Sequence, residues 1–396
     1  MVYYFVLILL IFLSIRYDLG GNTSHKDLWY RIMLVVFILI AGLRWRLGID
    51  TTRYLFSFYY VRPDLSTFSF ADLPIGSDPL WVLLNATVKS IWGRFYVVQL
   101  VQAAIVNALV FKYIKKHTDY IFTSVFFYAI TCFIPYNMEI MRGSISIVFC
   151  LYANDCIMEK KWIRGAALYF VALLFHAQTI MILITPLLFS VKLNKRGMIV
   201  LLGAFVVGTI ADLLIGNYIY LLDNSDIEEK ALGYAESEEY AEGFGLRSIL
   251  LNFLPNMFYP IAALLYIKKN DENNSVLKLE PLLILYLAFL LMKVNFKISY
   301  RYVQYYTIYV NLFYANFFVL LVKDVKSRIK GNAQFRFLMA VLIFVPFFVL
   351  RVHYYSKEYV YPRYFPYTSV IDRKVDQTRE NLFYQLGGRT ASLDEY

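Results

Sequence analysis

Apolar runs of membrane-spanning length, or nearly so, recur along this whole chain, and that repetition limits its fold more than any motif does. They fall at about 1–15, 28–43, 95–112, 120–136, 141–157, 162–175, 177–190, 198–222, 247–267, 279–292, 303–322 and 335–350. Inside a hydrocarbon layer of ~30 Å every backbone polar group must be satisfied by the chain itself, which leaves helices or closed barrels. Runs of this length predict an all-α polytopic membrane protein of about twelve transmembrane helices. Several runs are short for the layer and flank polar clusters, as broken or inset helices do. Charged residues make up 17% of the chain and apolar ones 59%, against ~25% charged in ordinary soluble domains. With a mean hydropathy of +0.53, this excludes a soluble enzyme, a disordered chain and a nucleic-acid binder. Cys132, Cys150 and Cys156 all lie in apolar runs, so no disulfide framework or CxxC metal site is indicated. The first run has no basic leader and no small-residue cleavage site after Ile15, and reads as a retained span.

The net charge of +10 is explained by loops that carry Lys and Arg on the cytoplasmic side. These are Lys112, Lys115 and Lys116; Lys160, Lys161 and Arg164; Lys192, Lys195 and Arg196; Lys268 and Lys269; and Lys323, Lys326, Arg328 and Lys330. The transmembrane domain then covers 1–350, with both termini, the loop 44–94, the acidic loop 223–246 and the tail 351–396 external. Within 44–94, Pro79–Ile91 is too short to be read as a span and suits an interfacial or re-entrant helix, with Asp78 as its N-cap. The tail carries the aromatic, proline-bearing stretch 359–367, which suits a cover for an external cleft, a sugar-stacking surface or an interfacial anchor.

Ionisable residues gather at external span ends, where the loop rule does not put them. The first group is Arg44, Arg46, Asp50, Arg53 and Tyr54. A continuing helix would place Arg46 and Asp50, and Asp50 and Arg53, on shared faces. The group reads as a salt-bridged helix end or as a phosphate site, since guanidinium forks match phosphate oxygens. Glu139 and Arg142 lie three apart at the head of a span, as an i,i+3 ion pair or as part of the same site. His176 sits at an external turn, as a satisfied core residue or as a base. Lys293, Lys297 and Arg301 would stack on one face of a continuous helix, as a functional stripe or an anionic-lipid contact.

No GxGxxG, GxxxxGK[ST], HExxH, GxSxG or Asp-x-Asp motif occurs, so no nucleotide, cofactor or metal is expected. Converging external arginines would hold a multiply charged anion at the membrane surface. A lipid-linked diphosphate fits, because it enters from the bilayer and is already an activated leaving group.

The pattern R-x-x-x-G-x-D-x-x-x-Y at Arg44, Gly48, Asp50 and Tyr54 resembles the first motif of the EpsG family. Asp78-Pro79, Arg142 at the head of a span and Phe175-His176 follow in the family's order over roughly residues 40–190. That resemblance implies a polymerase of exopolysaccharide, capsule or O-antigen repeats, similar to the Wzy polymerases. It implies a multi-pass protein of the bacterial plasma membrane with a GT-C-like fold. The reaction implied is metal-independent, inverting transfer of a growing glycan from undecaprenyl diphosphate to a lipid-linked repeat unit. A flippase and a chain-length regulator would be its partners. Unlike the usual Wzy site, this chain has no large external loop.

On this reading Arg44, Arg46, Arg142 and Arg301 bind diphosphate and Lys297 assists. Arg53, Tyr54, Asp78, Glu139 and Lys293 support them. The base is His176 or Asp50, and His176 ranks first because flanking arginines lower the basicity of Asp50. The alternatives are a flippase or transporter of lipid-linked oligosaccharide and a membrane O-acyltransferase of surface glycans.

Overall fold

The computed structural model describes residues 2–74, 77–218, 256–328, 349, 354–357 and 360–385. Among the described residues the regular structure is helical, and the β-type contact is an isolated bridge between Arg44 and Ser369. The helices Val2–Leu19, Phe95–His117, Lys195–Leu214 and Ser275–Asn295 are long and apolar enough to cross a membrane. A pair bent by 61°, Lys297–Gln304 and Thr307–Lys323, passes the same test together. Other runs form shorter helices: Trp162–Phe175 has 14 residues, which at 1.5 Å each rises only about 21 Å. The run at 177–190 forms a 3-10 helix, Ala177–Leu188. The acidic loop 223–246, most of the run 335–350 and the tail beyond 385 lie outside the described residues.

The chain divides into two compact units, Met1–Leu183 with Phe348–Tyr396, and Ile184–Phe347. The first contains α1 (Val2–Leu13), α2 (Lys26–Gly42), α3 (Ile49–Phe56), α4 (Pro79–Ile91), α5 (Phe95–His117), α6 (Ile121–Tyr128), α7 (Met141–Met158) and α8 (Trp162–Phe175). Helix α5 is central and packs on α2 and α7, while α7 packs on α8 and α1 on α6. Its apolar face buries Val98, Ala103, Val106 and Val110. Gly42 permits the close approach of α2, because a Cβ there would lie 2.8 Å from the Leu100 Cα.

Buried amides on α5 position the start of α7. Gln102 donates to the Tyr136 carbonyl at 3.1 Å and to Ser144 Oγ at 2.8 Å. Asn107 donates to Asn137 Oδ1 at 2.9 Å and accepts from the Tyr128 hydroxyl at 2.9 Å. These bonds satisfy polar groups that would be costly if buried alone. They also tie the π-helical stretch Pro135–Glu139 to α5.

At the C-terminal ends of α5 and α7, Asp155 accepts from Tyr113 at 2.9 Å and Lys116 at 2.7 Å and lies 2.8 Å from His117 Nε2. Asp155 is thus paired, as a carboxylate in an apolar run should be. His117, in a loop whose lysines suggest a solvated position, is largely buried against that carboxylate, its side chain 12% exposed.

In the second unit, α9 (Lys195–Tyr218) packs on the helix Glu280–Asn295, and Tyr259–Asn270 packs on Thr307–Arg328. The continuous helix that would stack Lys293, Lys297 and Arg301 does not form. Asn295 ends its helix with its amide on Thr209 Oγ1 at 2.7 Å. Phe296 then leaves the helical region at φ −97° and ψ 88°, followed by a 3-10 turn, Lys297–Ser299, and a new helix, Tyr300–Gln304.

Candidate active site

The chain leaves the helical conformation between α2 and α3. Arg46 has φ 48° and Gly48 φ 85°, so Arg46 and Asp50 are not helical i,i+4 neighbours. Gly48 is required here, since a Cβ would lie 2.5 Å from the Met138 carbonyl oxygen and its φ disfavours any other residue. The turn sets the N-terminus of α3 over Glu139. That carboxylate accepts the Ile49 amide at 3.3 Å, the Asp50 amide at 3.0 Å and the Tyr364 hydroxyl at 2.6 Å. An anion is favoured at a helix N-terminus. Burial nevertheless pushes the Glu139 carboxyl up, and the nearby Asp50 adds to the shift.

Glu139 and Arg142 do not form the local pair their spacing suggests. Ile140 interrupts the helix at φ −92° and ψ 49°, which turns the two side chains to different partners. Arg142, in the first turn of α7, donates to Asp78 Oδ2 at 2.5 Å and interacts electrostatically with the Tyr54 hydroxyl of α3. Asp78 holds the N-cap position of α4, where its carbonyl accepts the Val82 amide at 3.0 Å, but its side chain makes no bond to the α4 amides. Its Oδ1 accepts the Ala177 amide at 2.8 Å, and its Oδ2 lies 3.7 Å from His176 Nδ1. The Asp78 side chain is 3% exposed, against 39% for Arg142 and 16% for His176. Burial alone would raise the Asp78 carboxyl, but His176, Arg142 and the Ala177 amide hold it below its ordinary value. Burial lifts the Tyr54 phenol to about 12, opposed by Arg142.

Arg62 belongs to this neighbourhood and carries no recognisable local signature. It follows the π-helical turn Ser57–Val61, and Lys89 fixes its backbone by donating to the Arg62 carbonyl at 2.7 Å and the Tyr59 carbonyl at 3.3 Å. Its Nε is buried without a hydrogen-bond partner among the described residues. Burial and then Arg142 weaken its hold on the proton, while Asp78 and Tyr54 strengthen it. Asp50 is paired with Arg53 at 3.3 Å, as their i,i+3 spacing predicts, and its side chain is 38% exposed.

Arg44 and Arg46 turn inward. Arg44 is fully buried and donates to the Ala41 carbonyl, Thr51 Oγ1 and Met141 Sδ. Arg46 is almost buried and pairs with Glu380, its Nε 2.7 Å from Oε1. The tail that supplies Glu380 is packed against the α2–α3 turn. Trp45 N donates to the Thr368 carbonyl at 2.9 Å, Gly48 N to Arg363 at 3.0 Å and Val370 N to Leu43 at 2.9 Å. Arg379, also buried, closes the tail on itself by donating to the Pro362 carbonyl, Thr368 Oγ1 and the Pro366 carbonyl.

A family model described as the EpsG family matches residues 27–369. The chain belongs to the EpsG family. The match runs from α2 through the second unit to Ser369, well past the motifs of the first 190 residues. Searches of curated proteins and of solved structures return no match. Family membership and the long apolar helices identify a membrane protein of polysaccharide biosynthesis.

In this EpsG-family chain, the candidate residues of the first unit divide by what they touch. Arg142, Asp78, His176 and Tyr54 meet, with Arg62 and Asp50 close enough to influence them electrostatically. Glu139, Arg44 and Arg46 brace the wall. Lys293, Lys297 and Arg301 belong to the second unit. A guanidinium and an imidazole on one buried carboxylate, with the Arg62 guanidinium within its electrostatic reach, form a setting for a multiply charged anion, with a proton acceptor beside it.

Proposed function

We propose that the chain is a polysaccharide polymerase. It transfers a growing glycan from undecaprenyl diphosphate to a lipid-linked repeat unit at the external face of the bacterial plasma membrane. The observation that carries this reading is the convergence of Arg142 and His176 on the buried carboxylate of Asp78. The acceptor hydroxyl attacks the anomeric carbon of the donor sugar. A new glycosidic C–O bond forms as the bond from that carbon to the diphosphate oxygen breaks, and the electron pair leaves with the diphosphate. Displacement from the opposite side inverts the anomeric centre. Arg142, joined by Arg62, neutralises the charge that grows on the leaving diphosphate. The acceptor proton passes to His176 Nε2, because Nδ1 is turned toward Asp78. That contact, at 3.7 Å, is one that tightens when substrate binds. Asp50 orients Arg53 and the acceptor, and no metal takes part.

A flippase would supply the lipid-linked unit and a chain-length regulator would set the product size. A transporter of the same lipid needs cations along a path, whereas Arg142 and His176 gather on one carboxylate, Asp78. An O-acyltransferase leaves the Arg142–Asp78 pair without a role.

The test is to incubate purified protein with a diphosphate-linked repeat unit and resolve the products on a gel. Wild type gives a ladder, Arg142→Ala gives none, and His176→Ala gives a slow residual one. Vesicle uptake of the lipid with no ladder would make the protein a transporter.

A further inference from the structure

A second basic cleft lies in the same unit, away from the Arg142 cluster. It encloses about 390 Å³ including the volume open to solvent. Arg46, Arg94 and Arg373 line it with Trp45, Tyr59 and Tyr96, and among the described residues no carboxylate lines it. Helix α3 separates the two places: Tyr54 interacts electrostatically with Arg142, whereas Leu55 and, beyond the helix, Tyr59 line this cleft.

Two independent features make the cleft attractive to an anion. The first is the start of α5. This helix has 23 residues, no cap from the Arg94 side chain and no acidic residue in its first turn, and its Phe95 amide reaches the Tyr59 hydroxyl at 3.4 Å. Its N-terminal partial positive charge therefore meets a neutral hydroxyl and no acidic residue of its own first turn. The second is the arginine set. Arg94 precedes that helix start and is exposed. Arg373, brought in by the tail, stands with its Cζ 5.7 Å from the Trp45 ring centroid. That stacking holds the guanidinium plane in place. Glu380 pairs with Arg46.

We infer that this cleft binds the diphosphate of a second lipid-linked substrate, while the Arg142 cluster binds the first. The inference rests on the polymerase reading, in which both reactants carry a polyprenyl diphosphate and their sugars must meet while both lipids stay in the membrane. Phosphate oxygens would lie between Arg94, Arg373 and the first amides of α5, with Trp45 and Tyr96 flanking the attached sugar. Phospholipid phosphate shares this chemistry, and the experiment separates the two.

Full-length protein in phosphatidylcholine nanodiscs is titrated with farnesyl diphosphate. Wild type is expected to show two binding events. The Arg94→Ala/Arg373→Ala double variant is expected to weaken one of them at least tenfold and keep the other, which also reports that it is folded. Arg94→Gln, at an exposed position, is read alongside and weakens the same event. Replacing a third of the lipid with phosphatidylglycerol leaves both events in place. Two unchanged events in the double variant or in Arg94→Gln would overturn the inference, as would loss of the second event to phosphatidylglycerol. If instead Arg142→Ala keeps both events while the Arg94 variants lose one, the second cleft stands and the assignment of the first site fails.

Discussion

Asp78 reaches across 64 residues of sequence to accept Arg142 Nη1 at 2.5 Å, and its other oxygen accepts the Ala177 amide at 2.8 Å. One buried carboxylate thereby fixes the starts of α4 and α7 and the turn that carries His176. Its replacement separates fold from chemistry. Asp78→Asn keeps one acceptor, for the Ala177 amide, places an NH2 donor toward Arg142 and removes the charge that orients His176. Polymer yield should fall about 100-fold, the scale of losing one preorganised electrostatic partner, with a small change in melting temperature. Assay and thermal melt on one preparation check this.

Arg142→Lys keeps the charge and loses the planar fork. If Arg142 grips a diphosphate through two parallel bonds, lysine cannot replace it. Rates should drop roughly 10–100-fold, less than for alanine. Steady-state kinetics against the donor lipid give the comparison.

Glu139 makes stability depend on pH with an unusual sign. Its carboxyl is raised in the folded protein by burial and by Asp50. The folded state therefore holds that proton more tightly than the unfolded chain does, and stability falls as pH rises from the usual 4.5 through the raised value. Asp78, whose carboxyl is lowered, gives the opposite slope in more acidic solution. The difference in melting temperature between wild type and Glu139→Gln isolates the first contribution. The wild type should lose stability relative to the variant as pH rises through that window.

The α2–α3 turn admits no side chain at Gly48. Gly48→Ala meets the Met138 carbonyl at 2.5 Å and must hold φ 85°. Backbone strain of this kind costs about 1–3 kcal/mol, and the overlap adds to it. Folded yield and melting temperature should both fall, along with activity, because the same turn carries α3 and Tyr54.

Arg379→Ala would leave one buried and two part-buried acceptors in the tail without this donor. Each such loss costs roughly 1–3 kcal/mol. Limited proteolysis should then cut within 360–376, where the wild type resists.

What could be read from the sequence follows the range of the interactions. Asp50–Arg53 was legible because it is local and lies within one helix. The motif run Arg44–Tyr54 marked the right stretch of chain, but not its internal division. Arg44 and Arg46 look like ligand cations in one dimension, and only the folded chain shows Glu380 and Met141 taking them up. The Glu139–Arg142 and Lys293–Lys297–Arg301 spacings misled for one reason: each assumes an unbroken helix, and Ile140 and Phe296 break it. Asp78–Arg142, Arg62 and the tail's return to Trp45 and Gly48 depend on pairings between distant segments, which hydrophobic periodicity does not encode.

The central claim is that the Arg142–Asp78–His176 cluster exchanges a lipid diphosphate for a sugar hydroxyl. The most direct measurement counts released undecaprenyl diphosphate against new glycosidic bonds in a single turnover of purified protein. The account predicts one diphosphate per bond in wild type, neither product in Arg142→Ala, and both slowed equally in His176→Ala. Bond formation that persists undiminished in Arg142→Ala, or lipid movement across the bilayer with no diphosphate released, would contradict it.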